Sequence, residues 1–105
     1  MRLKSKVAIV TGGSRDIGRA VSVGLAAQGA KVVINYHGNV ENAEETLQII
    51  KAAGGEAIIV KADVTKTQDT ERLVAESRQA FGEEINILVN VAGGMIARKT
   101  TEELD

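Results

Sequence analysis

The chain has 105 residues, with 13 basic and 14 acidic side chains, a formal net charge of −1, and no cysteine. That length holds one small domain, able to bury roughly two-thirds of the surface its unfolded chain exposes. Balanced charge without a basic stripe argues against nucleic acid, no apolar run approaches the roughly 18 residues of a membrane span, the lack of cysteine excludes a disulfide framework and thiolate metal sites, and the single His37 cannot build a metal site alone.

The N-terminus, Met1 to Lys6, is basic, but the apolar run behind it is too short for a signal peptide, so a cytoplasmic protein is expected. Val7-Ala8-Ile9-Val10 is a short continuous apolar run of the kind a buried parallel strand requires. Thr11-Gly12-Gly13 breaks it. From Ile17 the period becomes helical, with Ile17, Ala20, Val21, Leu25 and Gln28 on one face, and Gly29 fits a left-handed C-terminal cap. Lys31 to Asn35 is the second strand. Asn39 is placed to cap a helix running to about Ala53, with Ala43, Leu47 and Ile50 as its buried face. A third strand, Ala57 to Val60, leads to Asp63-Val64. Thr67 fits the cap of a third helix whose stripe is Leu73, Val74, Ala80 and Phe81, closed by Gly82. The fourth strand, Ile85 to Val89, runs into Asn90-Val91-Ala92-Gly93. Thr100 and Glu103 have capping-box spacing, so a further helix begins near the end.

The order β-α-β-α-β-α-β, with β-branched strands and helices of ordinary length, predicts an α/β fold, a doubly wound parallel sheet. With the first strand central, right-handed crossovers give the order 3-2-1-4, and the switch point falls between strands one and four. Ligands bind outside the carboxyl ends of strands at such a point. The turn after Val10 aims backbone N–H groups and a helix N-terminus at one spot, a ready anion site. No Gly-Lys-Ser/Thr follows that turn, so it is not a P-loop. The acidic cluster of a phospho-acceptor domain is also absent from the end of strand one.

Thr11-Gly12-Gly13-Ser14-Arg15-Asp16-Ile17-Gly18 resembles the T-G-x-x-x-G-x-G loop of the short-chain dehydrogenase/reductases. Asp63-Val64 and Asn90-Val91-Ala92-Gly93 resemble that family's D-V and N-N-A-G elements, in the same order and spacing over essentially the whole chain. The nearest subgroup by this resemblance is the 3-oxoacyl-[acyl-carrier-protein] reductase-like enzymes. The resemblance implies a Rossmann domain that binds NAD(H) or NADP(H) and serves hydride transfer between nicotinamide and a carbonyl or alcohol. By it, Gly12, Ser14, Arg15, Ile17 and Gly18 line the pyrophosphate and adenosine ribose, Asp63 and Val64 meet the adenine, and Asn90, Ala92 and Gly93 lie against the riboses. Plainer roles stand beside these: Asp63 as a turn residue, Asn90 as a strand-end bracket, Arg15 as a solvated charge.

Two residues depart from the pattern. Asp16 replaces the middle glycine, facing either a bound pyrophosphate or, as we expect, the solvent beside the helix N-terminus, where an acid contributes about 0.3–1 kcal/mol. Val91 replaces the second asparagine. At the end of strand two, where an NAD-preferring fold offers an acid, Asn35-Tyr36-His37 has none, and Arg15 is a cation suited to a 2′-phosphate. We therefore expect NADP(H) to be preferred, with NAD(H) possible, Asn35 to be a cofactor-binding residue at that strand end, and His37 to be a loop residue.

The family's proton donor is the tyrosine of Y-x-x-x-K. The single tyrosine is Tyr36, and Val40 stands four residues on, so no catalytic residue is assigned. Helices one and two should cover one sheet face and helix three the other, leaving strand four as an apolar edge. The expectation is an N-terminal, partial domain of a longer enzyme acting on a small carbonyl, alcohol or acyl-thioester substrate, self-associating as a homo-oligomer. The alternative is a non-catalytic nucleotide-binding or assembly module.

Overall fold

Four strands and three helices alternate in the computed structural model, which describes residues 2–12, 16–82 and 84–91. They are β1 (Val7–Thr11), α1 (Asp16–Ala27), β2 (Lys31–Tyr36), α2 (Val40–Ala52), β3 (Glu56–Lys61), α3 (Thr67–Phe81) and β4 (Ile87–Asn90). The sheet is parallel with order β3-β2-β1-β4. This is a truncated Rossmann α/β fold. β1 is central because its apolar run is buried along its whole length, and Ala8 sits in register with Val32 on one side and Ile87 on the other.

The strand period of two splits the core into layers. Val10, Val32 and Ile34 cluster with Ala26 of α1 and Ile50 of α2. Ile9, Val33 and Val60 face the other way, against Leu73 of α3. The expected division of helices between the two faces is therefore what forms.

The helix faces differ from the apolar periodicity. Ile17 is 70% exposed, and Ala20 and Gln28 are exposed too. The stripe of α1 that meets the sheet is Gly18, Ser22 and Ala26, with Val21 and Leu25 half-buried beside it. Small residues let the helix axis approach the strands closely. The same happens in α2 and α3, where Thr46 and Ser77 are fully buried and Ala80 is exposed. Thr46 Oγ1 donates to the Asn42 carbonyl (3.0 Å) and Ser77 Oγ to the Leu73 carbonyl (2.7 Å). Each hydroxyl is satisfied one turn back, so it enters the core without an orphaned polar atom.

Boundaries shift where side chains replace the backbone ladder. β4 begins at Ile87 rather than Ile85, because Asn86 brackets the sheet. Its N–H donates to the Val7 carbonyl, and its Oδ1 accepts from the Val7 N–H, each at 2.9 Å. β4 is an edge strand, half-buried throughout. Thr67 is the first residue of α3 rather than its cap; Lys66 holds that position with no side-chain cap bond. Asn39 caps α2 as expected, accepting from the Asn42 N–H at 3.1 Å. Gly29 closes α1 at φ 99°, where the Ala30 N–H reaches the Leu25 carbonyl. The capping box at Thr100 and Glu103 lies outside the described residues.

Candidate functional site

The carboxyl ends of all four strands, Thr11, Tyr36, Lys61 and Asn90, lie along one edge of the sheet. Gly12 turns there at φ 69°, a conformation that glycine takes without a Cβ clash. α1 starts just beyond, so the N–H groups of its first turn open toward the same edge. Its first residue, Asp16, has φ 55°. That left-handed geometry explains why a glycine suits this position, and aspartate is one of the few other residues that tolerates it. The Asp16 side chain is exposed, as is Ile17, while Gly18 is buried against the sheet. Ser14, Arg15, Ala92 and Gly93 lie outside the described residues.

Asn35 is placed below the turn rather than on its rim. It is 3% exposed. Its Nδ2 donates to the carbonyls of Ala62 (3.0 Å) and Val60 (3.4 Å), and its Oδ1 accepts from the Gly12 N–H (3.3 Å). One side chain thus ties the ends of β1, β2 and β3 together. Asn90 does the same for β4: its Oδ1 accepts from Thr11 Oγ1 at 2.9 Å, and the Val91 N–H donates to the Thr11 carbonyl at 3.1 Å.

Asp63 follows β3. Its Oδ1 accepts from both the hydroxyl (2.6 Å) and the N–H (3.0 Å) of Thr65, while its own N–H donates to Asp69 Oδ2 (2.7 Å). The Thr65 bonds hold the Asp63 carboxyl below the usual carboxylate range, helped by His37 and Lys66 against partial desolvation. The second oxygen, Oδ2, faces His37 Nε2 at 3.8 Å. Val64, beside it, joins Thr11, Leu73, Leu88 and Asn90 around a cavity of about 220 Å3. A larger cavity of about 470 Å3 opens near Lys4, Ala30 and Glu56, at the opposite, amino-terminal edge of the strands. It meets none of these polar groups, so the smaller cavity is the one that belongs to the site.

Periodicity did not reveal two further features. Arg19 locks α1 to α2: Nε donates to Thr46 Oγ1 (2.9 Å), Nη2 to the Asn42 carbonyl (3.3 Å), and Nη1 pairs with Glu45 (2.7 Å). His37 and Asp63 are 26 positions apart and meet only because β2 and β3 are neighbours. No local sequence signal marks either contact.

The profile of short chain dehydrogenases matches residues 6–105. Versicolorin reductase 1 of Aspergillus parasiticus is 44% identical over 108 residues, covering 99% of this chain and 41% of that protein. A short-chain dehydrogenase/reductase homolog of Bacillus subtilis is 41% identical over 92 residues, covering 88% of this chain and 84% of that protein. Among solved structures, a short chain dehydrogenase from Burkholderia cenocepacia J2315 in complex with NADP superposes with a TM-score of 0.80 at 41% identity, covering 86% of this chain and 36% of that one. The chain spans about two-fifths of the length of the first of these relatives. Family profile, relatives and fold agree: this chain belongs to the short chain dehydrogenases.

Proposed function

We propose that residues 1–105 form one partial domain that binds a nicotinamide dinucleotide, NADP(H) in preference to NAD(H), as the cofactor-binding part of an oxidoreductase. The observation that carries this reading is the convergence of the Gly12 turn, the α1 N-terminus, Asp63-Val64 and Asn90 on one sheet edge. The groups present fit such a cofactor. The turn has no Cβ at Gly12, the helix N-terminus favours a pyrophosphate, and Asp63 keeps one carboxylate oxygen clear of Thr65. Gly12, Ser14, Arg15, Ile17 and Gly18 take the pyrophosphate side, Asp63 and Val64 the adenine, and Asn35, Asn90, Ala92 and Gly93 support the riboses. Asn35 acts from beneath, by fixing Gly12. The preference for NADP(H) is supported by the lack of an acid at Asn35-Tyr36-His37 and by Arg15 in the turn. The relative from Burkholderia cenocepacia was solved with NADP.

When bound, the nicotinamide supplies the hydride chemistry on a carbonyl or alcohol. This chain's own residues bind and orient the dinucleotide. The only tyrosine, Tyr36, is not followed by a lysine four residues on, so the 105 residues by themselves move no proton and are inactive alone. The substrate of the whole enzyme is a small carbonyl or alcohol compound, with 3-oxoacyl thioesters one class and the versicolorin named for the fungal relative another. No described helix is long and apolar enough to cross a membrane. We read the protein as cytoplasmic, and the half-buried β4 edge as a reason for self-association. The alternative reading is a nucleotide-binding or assembly module without chemistry. Calorimetric titration tests the shared core of both: NADPH should bind more tightly than NADH, and NADH binding at least as tightly would overturn the cofactor assignment. NADPH oxidation by a ketone substrate separates the two readings in the full-length enzyme.

A further inference from the structure

Beyond Lys61, which pairs in register with Tyr36, the chain leaves β3 and its backbone loses the strand ladder. Side chains take over. Asn35 donates to the Ala62 carbonyl at 3.0 Å, and Arg72 Nη2 donates to the Lys61 carbonyl at 2.6 Å. The Asp63 N–H donates to Asp69 Oδ2 at 2.7 Å, a short bond to a charged acceptor. Asp69 is the third residue of α3, after Thr67 and Gln68. An acid at that position ordinarily reaches back to the N–H of the cap residue, here Lys66. The Lys66 N–H goes instead to the Asp63 carbonyl at 2.9 Å, and Asp69 reaches past the cap to Asp63. The other oxygen of Asp69 faces Arg72 Nη2 at 3.8 Å, and Arg72 Nη1 donates to Glu76 at 3.1 Å. Asp63 is thus held at its N–H by Asp69, at its carbonyl by Lys66 and at Oδ1 by the Thr65 hydroxyl. What remains is Oδ2, which at 3.8 Å from His37 Nε2 is outside hydrogen-bond distance of it.

We propose that Asp69, braced by Arg72, is a positioning residue for base selection: it fixes the Asp63 backbone so that Oδ2 is presented as an acceptor beside the Val64 N–H. The proposal rests on the reading above that Asp63 and Val64 meet the adenine. The Val64 N–H has no partner among the described residues, so two adjacent residues offer a base one acceptor and one donor. Adenine carries the complement, a 6-amino donor and an N1 acceptor. Hypoxanthine inverts both, with a 6-oxo acceptor and an N1–H donor. A site whose polar groups are fixed rejects the inverted base, because those groups are left unpaired. A carboxylate released from Asp69 moves with its loop and can meet the N1–H donor instead, so the rejection weakens. Asp69 itself touches no cofactor and acts through Asp63.

The test is calorimetric titration of the protein with NADPH and with its base analogue, reduced nicotinamide hypoxanthine dinucleotide phosphate, for the wild type, Asp69→Ala and Asp69→Asn. Both ligands carry the 2′-phosphate, so the ratio of their affinities reports the base alone. The wild type should favour NADPH roughly tenfold or more. Asp69→Ala removes the acceptor and should drop that ratio to about threefold or less. Asp69→Asn keeps an amide oxygen for the Asp63 N–H and should hold the ratio near wild type. A merely structural role would weaken both ligands alike; an unchanged ratio in Asp69→Ala therefore overturns the proposal and leaves the adenine reading standing. If circular dichroism shows that Asp69→Ala does not fold, Arg72→Met, at an exposed side chain, decides instead. A ratio lowered by roughly twofold or more supports the brace, and an unchanged one overturns it. A wild type that binds the two bases equally removes the adenine reading and the role of Asp69 together, and binding of neither removes the dinucleotide site with them.

Discussion

Replacing Asn35 tests the bracket that holds the site together. In Asn35→Leu a similar volume stays in place, but the Gly12 N–H loses its acceptor and the Ala62 carbonyl its donor. Leaving a buried polar group unpaired costs about 1–3 kcal/mol. The Ala62 group dominates, because Ala62 is 1% exposed, whereas Gly12 lies beside the open edge where water reaches its N–H. The expected loss is about 2–3 kcal/mol, a sizeable part of the roughly 5–15 kcal/mol that holds a domain together. Each kcal/mol lowers Tm by roughly 4–8 °C in a chain of this size. Urea and thermal unfolding followed by circular dichroism would measure it. Asn35→Asp sharpens the argument. It keeps the acceptor for Gly12 but turns a carboxylate toward the Val60 and Ala62 carbonyls, so it should destabilise at least as much near neutral pH. Were Asn35 instead a rim residue facing the ribose, Asn35→Asp would shift preference toward NADH and leave stability alone. An Asn35→Leu protein within about 0.5 kcal/mol of wild type would refute the bracket.

Three further outcomes are expected. Because the fold lowers the ionisation of Asp63 below the usual range, its contribution is complete above the ordinary aspartate value near 3.9 and is lost as the pH falls through and below it. The Tm difference between wild type and Asp63→Asn should therefore be largest at pH 6 and shrink toward pH 3; a constant difference would show that ionisation is irrelevant there. Arg19→Met should cost about 1–2 kcal/mol, since it removes bonds to the fully buried Thr46 and to Asn42, whereas Glu45→Gln at the exposed end of the same pair should cost less than about 0.5 kcal/mol, both read from urea midpoints. The glycines separate by space. A Cβ on Gly55 would lie 2.8 Å from Ile50 Cγ2, so Gly55→Ala should destabilise by about 1–3 kcal/mol, while Gly24→Ala, with nothing within 4 Å on the exposed side of α1, should stabilise by about 0.5–1 kcal/mol. Equal effects from the two would contradict the packing described.

What the amino-acid order determined by itself was the alternation of strands and helices, the strand order and the edge on which the motifs meet. Those follow from local patterns: Val7 to Val10 can only be a buried strand in this setting, Asn39 caps, Gly29 stops a helix, and right-handed crossovers leave one parallel arrangement. Tertiary structure decided which face of each helix is buried. An apolar count favoured Ile17 and Ala20 over Ser22, and Ala80 over Ser77, because it cannot see a hydroxyl satisfied by the carbonyl one turn back. It also decided the contacts between residues far apart in sequence: Asn35 beneath Gly12, Asn86 against Val7, Arg19 on Thr46, and His37 opposite Asp63. A side chain's partner across a parallel sheet depends on strand register and helix docking, and neither is written in the residues that flank it.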